Sequence, residues 1–133
     1  MKTMKVRSKR KTAARIGMIP AKEAGDKIHA ILNTVGIRPT VLASACLMAE
    51  PQLVRLSRRP PGAVRVETLI PLERVEKLVH EASETLTEQG ARNWLNAPNP
   101  YLDNMPPILR ARSDAELDKA LSALASIRYG FPA

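Results

Sequence analysis

Proline governs what this chain can fold into. Eleven prolines and six glycines are spread over its 133 residues and cut it into short segments. Proline lacks the backbone donor that a helix interior or a central strand requires, yet its fixed φ suits a first helical turn. Glycine closes helices because it takes the left-handed conformation without strain. The chain must therefore be assembled from short elements that start beside a proline or stop at a glycine.

The apolar residues between these breaks repeat with helical spacing. Pro20 closes an aperiodic opening stretch, after which Ala24, Ile28, Ile31, Leu32 and Val35 share one face of a helix that Gly36 stops. Pro39 and Thr40 open a second helix, Val41 to about Met48, and Pro51 starts a third that runs to about Ser57. Arg58-Arg59-Pro60-Pro61-Gly62 is a breaker, and Ala63 to Ile70 is either a strand or an extended link. Pro71 is expected to begin the longest helix, reaching about Gln89 and ended by Gly90. Its Leu72, Val75, Val79, Ala82 and Leu86 form a short seam of the coiled-coil kind, with Leu78 alongside. That seam serves either the chain's own core or a contact between two copies. A short helix around Trp94 and a proline-rich segment follow. Ser113 and Glu116 then have capping-box spacing at the head of a last helix, whose face carries Leu117, Ala120, Leu121, Leu124 and Ile127 and which Gly130 ends.

Composition narrows the fold class. Hydrophobic residues make up 44% but aromatics only 3%, so the core is aliphatic, as in small helical bundles rather than β domains. An all-α small helical bundle is expected. No apolar run approaches the roughly 20 residues of a membrane helix, and no apolar block follows the basic N-terminus as in a secretory signal. Cys46 is the single cysteine, and His29 and His80 lack metal-ligand spacing. A reducing cytoplasm, no metal and no cofactor are expected.

The charge is concentrated at one end. The net charge is +8, and residues 1–15 hold seven basic side chains and no acid. A segment like this is either a solubilising tail or an arm that gains affinity for nucleic acid by releasing counterions. Lys9, Arg10 and Lys11 are its densest run. Elsewhere no catalytic constellation can be assembled, since the sequence has no glycine-rich phosphate loop, paired Cys/His set or nucleophile elbow. His80, flanked by Glu76 and Glu84 at i−4 and i+4, fits an exposed ion-pair face. Cys46, in the run Ala43 to Met48, fits a buried structural thiol.

Two segments resemble known families. Leu42-Ala43-Ser44-Ala45-Cys46-Leu47-Met48-Ala49-Glu50-Pro51-Gln52-Leu53-Val54-Arg55-Leu56 is loosely similar to the helix-turn-helix of Xre-type repressors. The resemblance implies Ala43 at the helix crossing, Met48 and Leu53 as apolar pins, and Gln52 and Arg55 toward a DNA groove, with Arg58 and Arg59 beyond them. Leu47 stands where that motif usually has Gly. Generic helix packing accounts for the segment equally well.

The C-terminal segment is the closer match. Ala91-Arg92-Asn93-Trp94-Leu95-Asn96-Ala97-Pro98-Asn99-Pro100-Tyr101-Leu102, then Pro107-Ile108-Leu109, then a helix closing on Ile127-Arg128-Tyr129-Gly130, resembles the toxin-binding domain of antitoxins of the Xre/MbcA/ParS group. Asp103-Asn104 replaces the usual Gly-Gly, and Ser113-Asp114 replaces a Gly before the last helix. The resemblance implies three parts: a basic arm (1–20), a degenerate helix-turn-helix region (21–70) and a helical toxin-binding domain (71–133). It implies as partner a RES-domain toxin that degrades NAD or transfers its ADP-ribose, blocked sterically by a non-enzymatic antitoxin that dimerises and represses its own operon. Trp94, Asn99, Tyr101, Pro107, Arg110, Arg112, Arg128, Tyr129 and Phe131 are the toxin-binding candidates. Trp94 is open to a second reading, as a core residue closing a small domain, and Arg128 to one as a partner of its helix dipole.

Overall fold

Six α-helices form among the described residues, 17–129 of a computed structural model, several of them bounded by the proline and glycine punctuation of the sequence. A first strand, β1 (Met18–Pro20), leads into α1 (Ala21–Val35), which ends at Gly36 with φ +69°. α2 (Pro39–Ala45) and α3 (Glu50–Ser57) each carry proline in the first turn. A second strand, β2 (Ala63–Arg65), precedes α4 (Val66–Thr85), and α5 (Glu88–Asn96) follows. Two 3₁₀ turns, Pro100–Leu102 and Pro107–Leu109, lead to α6 (Asp114–Arg128).

α2 stops three residues earlier than its apolar run. The Met48 amide bonds to Ala43 O at 2.9 Å and the Leu47 amide to Ser44 O at 3.1 Å, while Leu47 takes φ +55°. That is a Schellman closure with Leu at the position glycine normally fills. Arg59, at φ +53°, closes α3 in a similar way.

The longest helix differs from expectation at both ends. α4 begins at Val66, so Pro71 lies inside it rather than at its start. Proline at this point removes one helical bond, that to Glu67 O, and the extra turn is retained because Leu69 is buried in the core and the Val66 amide bonds to Gly17 O at 2.8 Å. Gly90 does not end the helix. α4 finishes at Thr85, and Thr87 caps α5 by accepting a hydrogen bond from the Gly90 amide at 3.0 Å. A cap of this kind favours a helix start strongly enough to offset the low propensity of glycine.

The fold is mostly helical but not purely so. β1 and β2 pair antiparallel, Met18 with Arg65, Ile19 with Val64 and Pro20 with Ala63. This resolves the 63–70 segment into a short strand followed by a helical turn. One continuous aliphatic core runs through the helices and includes Ile28, Ile31 and Val35 of α1, Leu42 of α2, Leu53 and Leu56 of α3, Leu95 of α5 and Leu124 of α6; α4 packs against α1, α5 and α6, and α3 packs against α1 and α2. The seam of α4 (Leu72, Val75, Leu78, Val79 and Ala82) is buried within this core and serves the chain's own packing. The 70/71 division falls inside α4, and residues on both sides share the core. On α6, Leu117, Ala120 and Leu124 are buried while Ile127, placed on the same face by its spacing, is exposed near the helix end. No helix among the described residues is long and apolar enough to cross a membrane.

Candidate functional site

The loop after α5 is closed by its own hydrogen bonds. Asn99, 6% exposed, organises it: its side-chain Oδ1 accepts from the Tyr101 amide at 2.9 Å, and its backbone oxygen accepts from the Leu102 and Asn104 amides, each at 2.9 Å. The Asn99 amide donates to Met105 O at 3.2 Å, bridging the neck of the loop. Between these anchors Asp103 and Asn104 take φ +58° and +62°, the left-handed geometry that Asp and Asn tolerate best among non-glycine residues. Leu102 is drawn into the core, and its neighbour Tyr101 is left 58% exposed. The loop thus presents an aromatic ring on a pre-ordered backbone.

The arginines flanking this loop are turned inward. Arg110 Nη2 lies 3.5 Å from Asp103 Oδ2 and its Nη1 reaches Met105 Sδ, so it staples the loop from beneath with only 14% of its side chain exposed. Arg112 Nη2 donates to Ser44 O of α2 at 2.9 Å. Arg74 of α4 in turn donates to Asp114 Oδ1 and to Arg112 O. Pro107 is buried as the head of the second 3₁₀ turn. Trp94 is half-buried against the core, and its Nε1 has no partner among the described residues. Asn99 and Pro107 are therefore occupied within the chain and Arg110 and Arg112 are so only in part, their Nε atoms being buried without a partner among the described residues, whereas Tyr101, Arg128 and Tyr129 face outward.

At the end of α6, Arg128 Nη2 donates to Thr85 Oγ1 at 2.7 Å across the surface, and Tyr129 is 70% exposed. Both tyrosines of the sequence are thus on the outside, although the chain has only four aromatic residues. The head of α6 is capped as expected by Ser113 Oγ, which accepts from the Glu116 amide at 3.1 Å. The reciprocal half of the box is not made, since Glu116 Oε1 is buried without a partner among the described residues. Phe131, Gly130 and the arm residues Lys9, Arg10 and Lys11 lie outside the described residues.

The segment that resembles a helix-turn-helix packs its two helices, α2 and α3, against each other. Ala43 and Leu53 are buried and Met48 is half-buried, so α2 and α3 cross closely. Gln52, Arg55, Arg58 and Arg59 are exposed. Arg59, however, is engaged by Asp26 of α1 (Nε to Oδ1, 2.6 Å), which holds the Asp26 carboxyl below its usual range with help from Lys22. Residues 17–65 hold seven basic against three acidic side chains, while residues 66–129 hold seven against ten. The two halves thus differ in sign.

A groove of about 550 Å³ lies between α2, α5 and the second 3₁₀ turn, lined by Arg38, Val41, Ser44, Arg92 and Ile108 among others. No sequence signal announced it, because its walls come from three separated segments. Arg92 is partly spent there, donating from Nε to Val35 O at the end of α1. Cys46 is buried as a structural thiol, pushed up to about 12 by desolvation. Among the described residues no group of three His, Cys, Asp or Glu side chains could hold a metal ion. No protein-family model matches this chain, and neither does any curated protein sequence.

Proposed function

We propose that this chain is a non-catalytic antitoxin that binds a RES-domain toxin, one that consumes NAD or transfers its ADP-ribose, and inhibits it sterically. The observation that carries the reading is the self-closed Asn99–Met105 loop, which holds Tyr101 outside the core. An aromatic on a backbone that needs no further ordering loses little entropy on docking, and tyrosine is enriched among residues that dominate interface energetics. Tyr129 and Arg128 are also exposed, at the end of α6, and the resemblance of residues 91–130 to the antitoxin domain supplies the partner class.

The test is co-expression with the product of the adjacent reading frame, followed by an NAD-consumption assay. The expected result is a stable complex with toxin activity suppressed, and a twofold lesser effect of Trp94→Phe than of Tyr101→Ala on inhibition would fit the outward placement of Tyr101. Independent purification of the two proteins, with full toxin activity in the mixture, overturns the reading.

A second reading, a DNA-binding regulator acting on its own operator, is favoured by the outward placement of Gln52, Arg55 and Arg58 on α3 and by the basic half of the fold. It predicts that removing residues 1–15 makes the slope of log affinity against log salt shallower. An unchanged slope would assign the phosphate contacts to α3 instead of the arm.

A further inference from the structure

The groove between α2, α5 and the second 3₁₀ turn combines an apolar lining with a cationic one. It measures about 550 Å³, a volume in the range of small-molecule sites. Its apolar part is Ile108, almost wholly buried, with the half-buried Val41 and Leu109. Thr40, Ser44 and Asn96 add polar groups.

The described lining holds two guanidinium groups, those of Arg38 and Arg92, and no carboxylate. Arg38 makes no ion pair among the described residues. Arg92 is fixed in place: its Nε donates to Val35 O at 2.9 Å, and its guanidinium lies against Gly36, where a Cβ would stand 3.1 Å from Nη2. With Nε spent, the Nη1–Nη2 edge remains. Only Gln89 and Glu88 reach it, each at 3.5 Å, beyond the usual hydrogen-bond range. That edge matches the two oxygens of a carboxylate. A third guanidinium borders the groove, since Arg112 Nη2 donates to the backbone oxygen of Ser44, a lining residue.

We propose that this groove binds a small organic carboxylate carried on a short apolar body. The carboxylate pairs with Arg92 and Arg38, and the body leaves water against Ile108, Val41 and Leu109. A nucleic-acid backbone fits less well, because its sugars and phosphates offer nothing apolar to that surface. α2 and α5 are distant in sequence, so an occupied groove ties them together and the ligand stabilises the fold. Tyr101, Arg128 and Tyr129 are not among the lining residues. The inference is independent of the toxin-binding reading.

The test is an NMR titration of the full chain with hexanoate, with hexylammonium as the same body under the opposite charge and acetate as the head without the body. Hexanoate is expected to shift the amides of Thr40, Ser44 and Asn96 with a Kd of about 1 mM, as a ligand of this size allows. At about ten times that concentration it should raise Tm by about 4–8 °C. Acetate is expected to bind about tenfold more weakly or worse, and hexylammonium to leave the groove amides unmoved. Arg38→Glu, at an exposed position, and Arg92→Gln are each expected to weaken hexanoate binding by about tenfold, whereas Arg55→Gln on α3 should bind like wild type. No shift at the groove amides with about 20 mM hexanoate overturns the proposal, as does equal binding of hexylammonium or acetate, or wild-type binding by Arg38→Glu and Arg92→Gln. Should Arg92→Gln fail to fold, Arg38→Glu decides alone.

Discussion

Replacing Asn99 by alanine removes the acceptor for the Tyr101 amide while leaving the backbone bonds of the loop in place. The side chain is 6% exposed and its Oδ1 lies 2.9 Å from that amide. Loss of a capping acceptor costs about 1 kcal/mol, and the partly buried amide left without a partner raises the expected total to about 1–2 kcal/mol. In a chain of this size that lowers Tm by about 4–8 °C. Asn99→Ser, which keeps an uncharged acceptor able to form the same local turn more weakly, is expected to recover about half of the loss. Urea denaturation of the three proteins measures the stability, and hydrogen exchange of residues 100–105 localises it. Faster exchange is expected in the loop, with α1 and α4 unchanged relative to global unfolding. If the proposed toxin docks on this loop, the alanine variant is expected to bind it about threefold to tenfold more weakly, because the loop must then be ordered on docking. An alanine variant as stable as wild type, with unchanged exchange in the loop, would refute the view that Asn99 pre-orders the Tyr101 surface.

Three further substitutions probe other parts of the molecule. Gly25→Ala would place a Cβ 2.7 Å from the Leu56 carbonyl oxygen where α1 meets α3; overpacking against backbone is expected to outweigh the gain in helix propensity and destabilise by about 1–2 kcal/mol in urea denaturation, and a more stable variant would contradict that close approach. Burial raises Cys46 from near 9 to about 12, so between those pH values the folded chain holds a proton that the unfolded chain has released. Stability then falls with rising pH by about 1.4 kcal/mol per unit from this group, a slope that Cys46→Ala should lack in denaturation curves from pH 8 to 10.5; parallel curves would refute the assignment. Arg128→Ala removes one surface bond to Thr85 and should change stability by less than about 0.5 kcal/mol. If Arg128 fills the toxin's pocket, inhibition should weaken by about tenfold or more, whereas equal inhibition would move the blocking element to the Tyr101 loop.

Much of the local structure was legible in the residues themselves. Gly36 closes α1, Pro39 and Pro51 open α2 and α3, Ser113 caps α6, and Asp103-Asn104 accept the left-handed turn. Each depends on the steric or hydrogen-bonding character of a residue and its near neighbours, which the sequence carries in full. The apolar faces were legible for the same reason, because helical spacing fixes which side chains share a side.

Tertiary structure decided whatever depends on distant partners. Val66–Ile70 is helical ahead of Pro71 because Leu69 finds the core and Val66 finds Gly17, contacts that no local pattern contains. Met18–Pro20 becomes a strand only because Ala63–Arg65 lies beside it. The α4 seam could have served a second copy, but α1, α5 and α6 cover it. The candidate site was sorted in the same way: Asn99, Arg110 and Arg112 are chemically suited to meeting a partner, yet the loop and α2 take up the Asn99 side-chain oxygen and the terminal nitrogens of both arginines, and Tyr101, Arg128 and Tyr129 remain outside. The sequence alone determined which residues could form caps, turns and apolar faces; only the assembled fold decided which of their polar groups were satisfied internally and which were left facing outward, because satisfaction depends on neighbours brought together across the chain.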